Sequence, residues 1–441
     1  MTYTDALAYI EETGKYGSVP GLESITELCK RLGNPQEELQ FVHIAGTNGK
    51  GSVLAYISTV LKEAGYRVGR YISPTIVDYR ERIQVSGKMI SKEGLCRNLE
   101  KIISAVNDML EEGKTHPTAF EIETALAFLY FREKKCDIVV LETGLGGSLD
   151  ATNLVTTTIV SVIASISRDH MAFLGETLAE IAENKAGIIK KGVPVVSMAQ
   201  KPEAMQVIEQ AAKEKGSRLI IASGEEAKNI RYGIEKQRFD YKKYKKMEIT
   251  LAGQCQIDNC ILAIEALALL SENGFLIGEK ALRQGLFKTE WRGRFTVIAK
   301  KPIFITDGAH NEDAAKKLAA SVQFYFTNKK IIYIMGILKD KEYEKIIANT
   351  YALAEQIITV AAPDNPRAMS AYELAKAVRE YHSGVTAADS LEEAVEMSYL
   401  LADQDSVIIA FGSLSFLGQL MTIVENRHTI RRDSHGRSEE N

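Results

Sequence analysis

Phe41-Val42-His43-Ile44-Ala45-Gly46-Thr47-Asn48-Gly49-Lys50-Gly51-Ser52 joins a short apolar run to a turn that carries three glycines and a lysine. Ser52–Ala64 follows with its apolar residues at helical spacing and stops at Gly65. The pattern predicts strand, loop, helix, which is the setting a phosphate-binding loop requires. Glycine lets the backbone turn tightly and approach phosphate oxygens, and the helix behind it points its amino end at them. Lys50 supplies a mobile positive charge. The common form of such loops, G-x-x-x-x-G-K-[ST], is not met: Ile44 stands at the first position and Gly51 follows the lysine. A glycine-rich turn with a surface lysine is the plainer reading, and the strand and helix on either side decide against it.

Outward from the loop, the chain alternates. Residues 1–40 read as helical, with turn signals at Gly17–Gly21 and Gly33-Asn34-Pro35. Strands are expected at Arg67–Ile72, Cys136–Glu142, Thr158–Ile166 and Val193–Ser197, and helices at Lys92–Glu112, Thr118–Lys134 and about Thr177–Lys190. That order implies a mostly parallel sheet covered on both faces. Residues 229–250, rich in charge and aromatics, suggest an antiparallel edge or hairpin, and Ile257–Leu270 a helix. A boundary is expected near Glu290–Arg294. Alternation then restarts with strands at Ile303–Thr306, Ile331–Met335, Gln356–Val360 and Val407–Ala410 and a helix at Asp313–Phe324. Arg427–Asn441, nearly free of apolar residues, reads as a disordered tail.

At 441 residues, 45% hydrophobic and 25% charged, the chain has the composition of a globular protein of two or three domains. A net charge of −4 gives no case for a nucleic-acid or membrane partner. Five scattered cysteines form no C-x-x-C pair, so neither a disulfide framework nor a zinc site is suggested and a cytoplasmic setting is expected. Met1–Ala6 lacks the basic and apolar regions of a signal peptide, and no apolar run reaches the roughly 20 residues of a spanning helix.

A phosphate loop without a hydroxyl after its lysine must find its magnesium ligands elsewhere, at the carboxyl ends of other strands in the same sheet. Ser73 and Glu142 hold such positions, the latter before the glycine-rich turn Thr143–Gly147. Asp169-His170 follows another strand, and its place on the same sheet margin favours a ligand role for the histidine over a structural one. Lys185 sits in a helix among small and apolar neighbours. Periodicity alone makes it a solvated helix lysine, although partial desolvation would lower its pKa.

In order and spacing, several segments resemble the folylpolyglutamate/dihydrofolate synthase branch of the Mur ligase superfamily. They are His43–Ser52, Ser73-Pro74, Tyr79–Ile83, Phe120-Glu121 with Thr124, Glu142–Gly147, Leu149–Asn153, Asp169-His170, Leu174-Gly175 and Lys185–Ile189. Beyond residue 290, Gly293-Arg294, Asp307–Asn311, Pro366–Ala368 and Gly412–Leu414 continue the match, which spans roughly residues 40–420. The resemblance implies an α/β fold: a P-loop ATPase-type domain over 1–293 and a smaller Rossmann-like α/β domain over 294–426. It further implies that Lys50, with Thr47, Asn48, Gly49, Gly51 and Ser52, holds the ATP phosphates. Ser73 and Glu142 would ligate one magnesium ion and His170 a second, assisted by a carbamylated Lys185, which reverses the periodicity reading of that lysine. Asn259 and Arg294 would contact the nucleotide, Asp307 and His310 would serve the nucleotide and glutamate side, and Ser413 ranks below them. ATP, two magnesium ions, a potassium ion, a folate or dihydropteroate and L-glutamate are the implied small molecules, bound by a monomer.

Three positions depart from the family pattern: Thr75 where histidine is frequent, Ser148 where arginine is usual, and Asn184 where glutamate is common. Thr75 and Ser148 fall near the folate side, so they bear on substrate preference. Other readings are a cell-wall Mur ligase, a nucleotide-binding switch, and a paralogue without ligase activity. No separate UDP-binding domain precedes the loop at residue 43, which speaks against the first. A bare switch has no need of Glu142, His170 and Lys185 together.

Overall fold

The structure is a computed structural model that describes the backbone of residues 1–17 and 21–436 and side chains as far as residue 427. The chain forms two compact units. The first comprises Met1–Ile230, Arg238–Ile249 and Ile257–Thr289, and the second Arg231–Gln237, Thr250–Gln256 and the chain from Glu290 onward.

The first unit is built on eight strands: β1 Phe41–Ala45, β2 Val68–Tyr71, β3 Ile83–Val85, β4 Lys88–Met89, β5 Ile138–Glu142, β6 Thr158–Ile163, β7 Val195–Met198 and β8 Leu219–Ala222. Their order is β4-β3-β2-β5-β1-β6-β7-β8. β2, β5, β1, β6, β7 and β8 run parallel, and β3 and β4 add an antiparallel margin. Every residue of β1 and β5 is buried, as strands covered on both faces demand. β1 lies between β5 and β6, where connections leave in opposite directions. Open α/β sheets bind ligands beyond the carboxyl ends of strands at such a point. One face is packed by the helices Lys92–Glu111 and Ala119–Glu133, whose buried side chains share a core with Phe41, Tyr71 and Leu141. A capping box fixes the start of the second helix: Thr118 accepts from Glu121 N, and the Glu121 carboxylate accepts from Thr118 N.

Residues 229–250 do not extend this sheet. Lys228–Arg231 (β9), Gln237–Tyr241 (β10) and Tyr244–Ile249 (β11) make a three-stranded sheet of their own, ordered β11-β10-β9. The turn expected across residues 18–20 lies outside the described residues.

The second unit carries β12 Thr296–Lys300, β13 Ile303–Asp307, β14 Ile331–Met335, β15 Gln356–Thr359, β16 Val385–Ala387 and β17 Val407–Phe411 in the order β12-β13-β17-β14-β15-β16. All pairs are parallel except β12 with β13. The last helix, Leu414–Gly436, continues through the first part of the segment that composition marks as an unstructured tail. Arg427 is the reason at its near end, since it pairs with Glu396 and lies over the Tyr399 ring at 4.6 Å. Residues 437–441 lie outside the described residues. Among the described residues no helix is long and apolar enough to cross a membrane.

Candidate active site

The loop after β1 is held from below by the chain leaving β6. Thr47 N and Asn48 N both donate to Ser165 O, at 2.8 and 3.3 Å. Thr47 Oγ1 donates to Ser167 O at 3.0 Å and accepts from Ser167 N at 3.1 Å. Asn48 Nδ2 donates to Ser167 Oγ at 3.3 Å. Two glycines have no substitute here. Gly46, at φ 156°, would press a Cβ to 2.8 Å from Ala164 Cβ, and Gly49, at φ 89°, would press one to 2.6 Å from Asn259 Oδ1. Asn259 thus lies against the loop although it is more than 200 residues away in sequence. Lys50 opens the helix Lys50–Glu63, with Gly51 and the buried Ser52 in its first turn.

Lys50 Nζ donates to Gly46 O at 3.1 Å and to Thr47 O at 3.4 Å, and stands 3.9 Å from Glu142 Oε1. Glu142 is buried at the end of β5, in register with Ile44 of β1. Lys185 also reaches this point: its Nζ donates to the same Gly46 O at 3.0 Å, and the residue is only 3% exposed. Burial, then the nearby Lys50 charge, bring its pKa down to about 7, against the pull of Asp169 and Asp150. A solvated lysine, the reading from periodicity, is therefore corrected. The chain between Gly144 and Ser148 passes over the helix Leu178–Ala186, and a Cβ on Gly147 would come within 2.7 Å of Asn184 O and 2.9 Å of Lys185 O.

Ser73 follows β2, whose Tyr71 is in register with Leu141 of β5, so it leaves the sheet on the same side as Glu142. His170 is different. It is exposed, at φ 51°, and caps the short helix Met171–Leu174, while the side chain of Asp169 is covered. Asp169 Oδ1 accepts from His170 N at 2.9 Å. Beneath the loops, His43 Nε2 meets Thr152 Oγ1 at 2.8 Å, and Thr152 Oγ1 donates to the buried carboxylate of Asp150. Asp150 also accepts from Leu145 N at 2.7 Å, so it organises the turn after Glu142. Ser165 and Ser167 escape the reading from sequence. Asp150 and Asp169 enter it only as parts of matching segments and Asn184 only as a departure from the family pattern, none with a role.

Among the described residues no three His, Cys, Asp or Glu side chains gather as a metal cage. The expected donors suit a different arrangement. The Glu142 carboxylate beside Lys50 and the Ser73 hydroxyl are oxygen donors of the kind magnesium takes alongside waters and substrate phosphates; Lys185 would join them only with a carboxylate added to its amine.

In the second unit, Asp307 ends β13. Its carboxylate accepts from Phe295 N and Ala309 N, each at 2.8 Å, and burial raises its pKa against the opposing charge of Arg294. A Cβ on Gly308 would overlap the Arg294 guanidinium and Leu414. His310 Nδ1 is 2.7 Å from Gly308 O. Asp307 is in register with Phe411 of β17, and the buried Ser413, two residues beyond, is 2.7 Å from Ser415 Oγ. Arg294, Asp307, His310 and Ser413 therefore share one end of this sheet.

A mostly parallel sheet with a glycine-lysine phosphate loop at its switch point defines a nucleotide-dependent α/β protein of the phosphate-loop kind. Two family models cover the chain: the Mur ligase middle domain over residues 44–267, and the Mur ligase, glutamate ligase domain over residues 293–414. The chain is 38% identical over 433 residues to the dihydrofolate synthase/folylpolyglutamate synthase of Bacillus subtilis, covering 95% of this chain and 98% of that one. The folylpolyglutamate synthase of Mycobacterium tuberculosis, solved with ADP and AMPPCP, superposes with a TM-score of 0.88 at 28% identity, over 96% and 98% of the two chains. Escherichia coli FolC, in complex with DHPP and ADP, gives 0.84 at 28% identity over 97% and 99%. The chain belongs to the folylpolyglutamate/dihydrofolate synthase family of Mur ligases, which are ATP-dependent ligases.

Proposed function

We propose that this chain joins a carboxylate of a folate or of dihydropteroate to L-glutamate with ATP, and that it performs both reactions. The observation that supports this most is the convergence of Lys50, Glu142 and Lys185 on the Gly46 turn, in a chain that matches bifunctional relatives over nearly its whole length. The substrate carboxylate attacks the γ-phosphorus of ATP, ADP leaves, and the resulting acyl phosphate is attacked by the amino group of glutamate, releasing phosphate and forming the amide. Lys50 and the amides of Gly49, Gly51 and Ser52 hold the phosphates, on a loop that Thr47 and Asn48 tie to Ser165 through their own amides. Asn259 and Arg294 contact the nucleotide, and Asp307 and His310 orient nucleotide and glutamate.

Ser73, Glu142, His170 and a carbamylated Lys185 would hold two magnesium ions, which when bound neutralise charge on the transferring phosphoryl group. A lysine amine that is neutral near pH 7 is the form that adds carbon dioxide, and the lowered pKa of Lys185 supports that role. A potassium requirement and a monomeric, cytoplasmic state complete the proposal; replacing potassium by sodium and sedimentation of the chain test the first two.

The deciding experiment is phosphate release from ATP with dihydropteroate, tetrahydrofolate or a UDP-muramoyl peptide, each with its amino acid. Release with the first two supports the proposal. Release with the muramoyl peptide alone reassigns the chain to cell-wall chemistry, and none with any acid removes the ligase reading.

A further inference from the structure

The turn after Glu142 and the helix bearing Lys185 are stitched together at one residue. Asn184 Oδ1 accepts from Gly147 N at 3.1 Å and from Ser148 Oγ at 3.3 Å, and Asn184 O accepts from Ser148 N at 2.8 Å. Asn153 braces the same joint, donating through Nδ2 to Ser148 O at 3.0 Å and to Gly187 O at 3.2 Å. The approach is close enough to exclude side chains: a Cβ on Gly147 would crowd Asn184 O, and one on Gly187 would overlap Ser148. Glu142 lies five residues before Gly147 and Lys185 one residue after Asn184, so this joint sets where one stands relative to the other.

The geometry points to Asn184 as a positioning residue that, through Ser148 and Gly147, fixes the spacing of Glu142 and Lys185 and so the affinity of the site for its divalent cation. The inference rests on the reading of Glu142 and Lys185 as magnesium ligands. Asn184 holds no metal itself. Its side chain offers one acceptor oxygen to two donors, a task that a carboxylate at this position performs equally well and a methyl group does not. Residues that hold ligands in place in this way commonly change metal affinity when removed.

The test is calorimetric binding of a non-hydrolysable ATP analogue to the full chain, with magnesium titrated from zero, alongside thermal unfolding of each variant. Asn184→Ala is expected to raise the magnesium concentration at half-maximal binding by about tenfold while magnesium-free nucleotide binding stays as in the wild type. Asn184→Asp, which keeps both acceptor contacts, restores most of that loss, and Ser148→Ala gives a smaller rise. An unmoved magnesium midpoint in a folded Asn184→Ala overturns the inference, as does an Asn184→Asp that behaves no better than alanine. Should Asn184→Ala not fold, an unmoved midpoint in Ser148→Ala overturns it instead. A wild type whose nucleotide binding ignores magnesium refutes the metal reading of Glu142 and Lys185 and the inference with it. A magnesium-dependent wild type with unmoved variants refutes the inference alone.

Discussion

Lys185 shows what a single residue conceals in a sequence. Its near neighbours in the helix are small or apolar, yet periodicity alone still makes it a solvated lysine. What buries it is a turn nearly 40 residues upstream and a carbonyl, Gly46 O, about 140 residues away. Burial and the Lys50 charge leave its amine half-neutral near pH 7, so carbamate formation on the native chain should strengthen from pH 6 to pH 8. Carbon-13 bicarbonate should give a carbamate resonance in the wild type that Lys185→Arg lacks; its persistence in that variant would remove the assignment. His43 makes the opposite point about protons. It is fully buried, and burial takes its pKa from 6.5 to about 3. Above pH 6.5 neither folded nor unfolded chain binds this proton; between 6.5 and 3 the unfolded chain takes it up and the folded one does not. Stability should therefore fall as pH drops below about 6.5, by up to about 1.4 kcal/mol per pH unit from this group. Urea unfolding of wild type and His43→Gln between pH 7 and 5 checks this, and the variant should show the shallower loss.

At the scale of elements, many of the well-patterned ones were legible, although the long helices Pro202–Glu214, Leu391–Leu401 and Leu414–Gly436 went unread. β1 and β14 fall on the predicted residues, and the helix Ala119–Glu133 begins after the predicted Thr118 because that residue is its cap. The short ones were not. β3, β4 and β16 hold only two or three residues each, too few for an alternating pattern, and they exist because a neighbouring strand offers its free edge. The phosphate loop was legible for the opposite reason: its conformation is set by glycines in the loop itself. Its dependence on Asn259 was not, since that contact belongs to a helix beginning at Cys255. Gly49→Ala should accordingly be harmed twice, by a left-handed φ that costs a side-chain-bearing residue about 1–3 kcal/mol and by the clash with Asn259 Oδ1. Thermal unfolding and nucleotide titration should both worsen. Gly49→Ala combined with Asn259→Ala should recover part of the stability, because only the clash is relieved.

For the molecule as a whole, the two units are not beads on a thread. The chain passes from one to the other at 230/231, 237/238, 249/250, 256/257 and 289/290, five crossings in all. A boundary near Glu290 is therefore only the last of these; the charged, aromatic composition of residues 229–250 spans three of the earlier crossings but reads as a sheet edge or hairpin, not as a change of unit. The strips that cross are knitted into the second unit. Ala252 is part of its core and Ile234 packs against that core. Gln237 Nε2 donates to Leu251 O at 2.7 Å and to Gly253 O at 2.9 Å. Tyr232 meets the Phe324 ring at 5.2 Å between centroids. A fragment ending at Thr289 keeps the eight-stranded sheet and phosphate loop yet strands Arg231–Gln237 and Thr250–Gln256 without the core they join. Such a fragment should bind hydrophobic dye and be cut by protease first within those two strips, whereas the full chain resists cleavage there. Deleting the strips and closing their gaps with short glycine-serine links should reduce both dye binding and cleavage. If the 1–289 fragment proves as dye-silent and protease-resistant as the full chain, the strips belong energetically to the first unit and the division at five crossings is wrong.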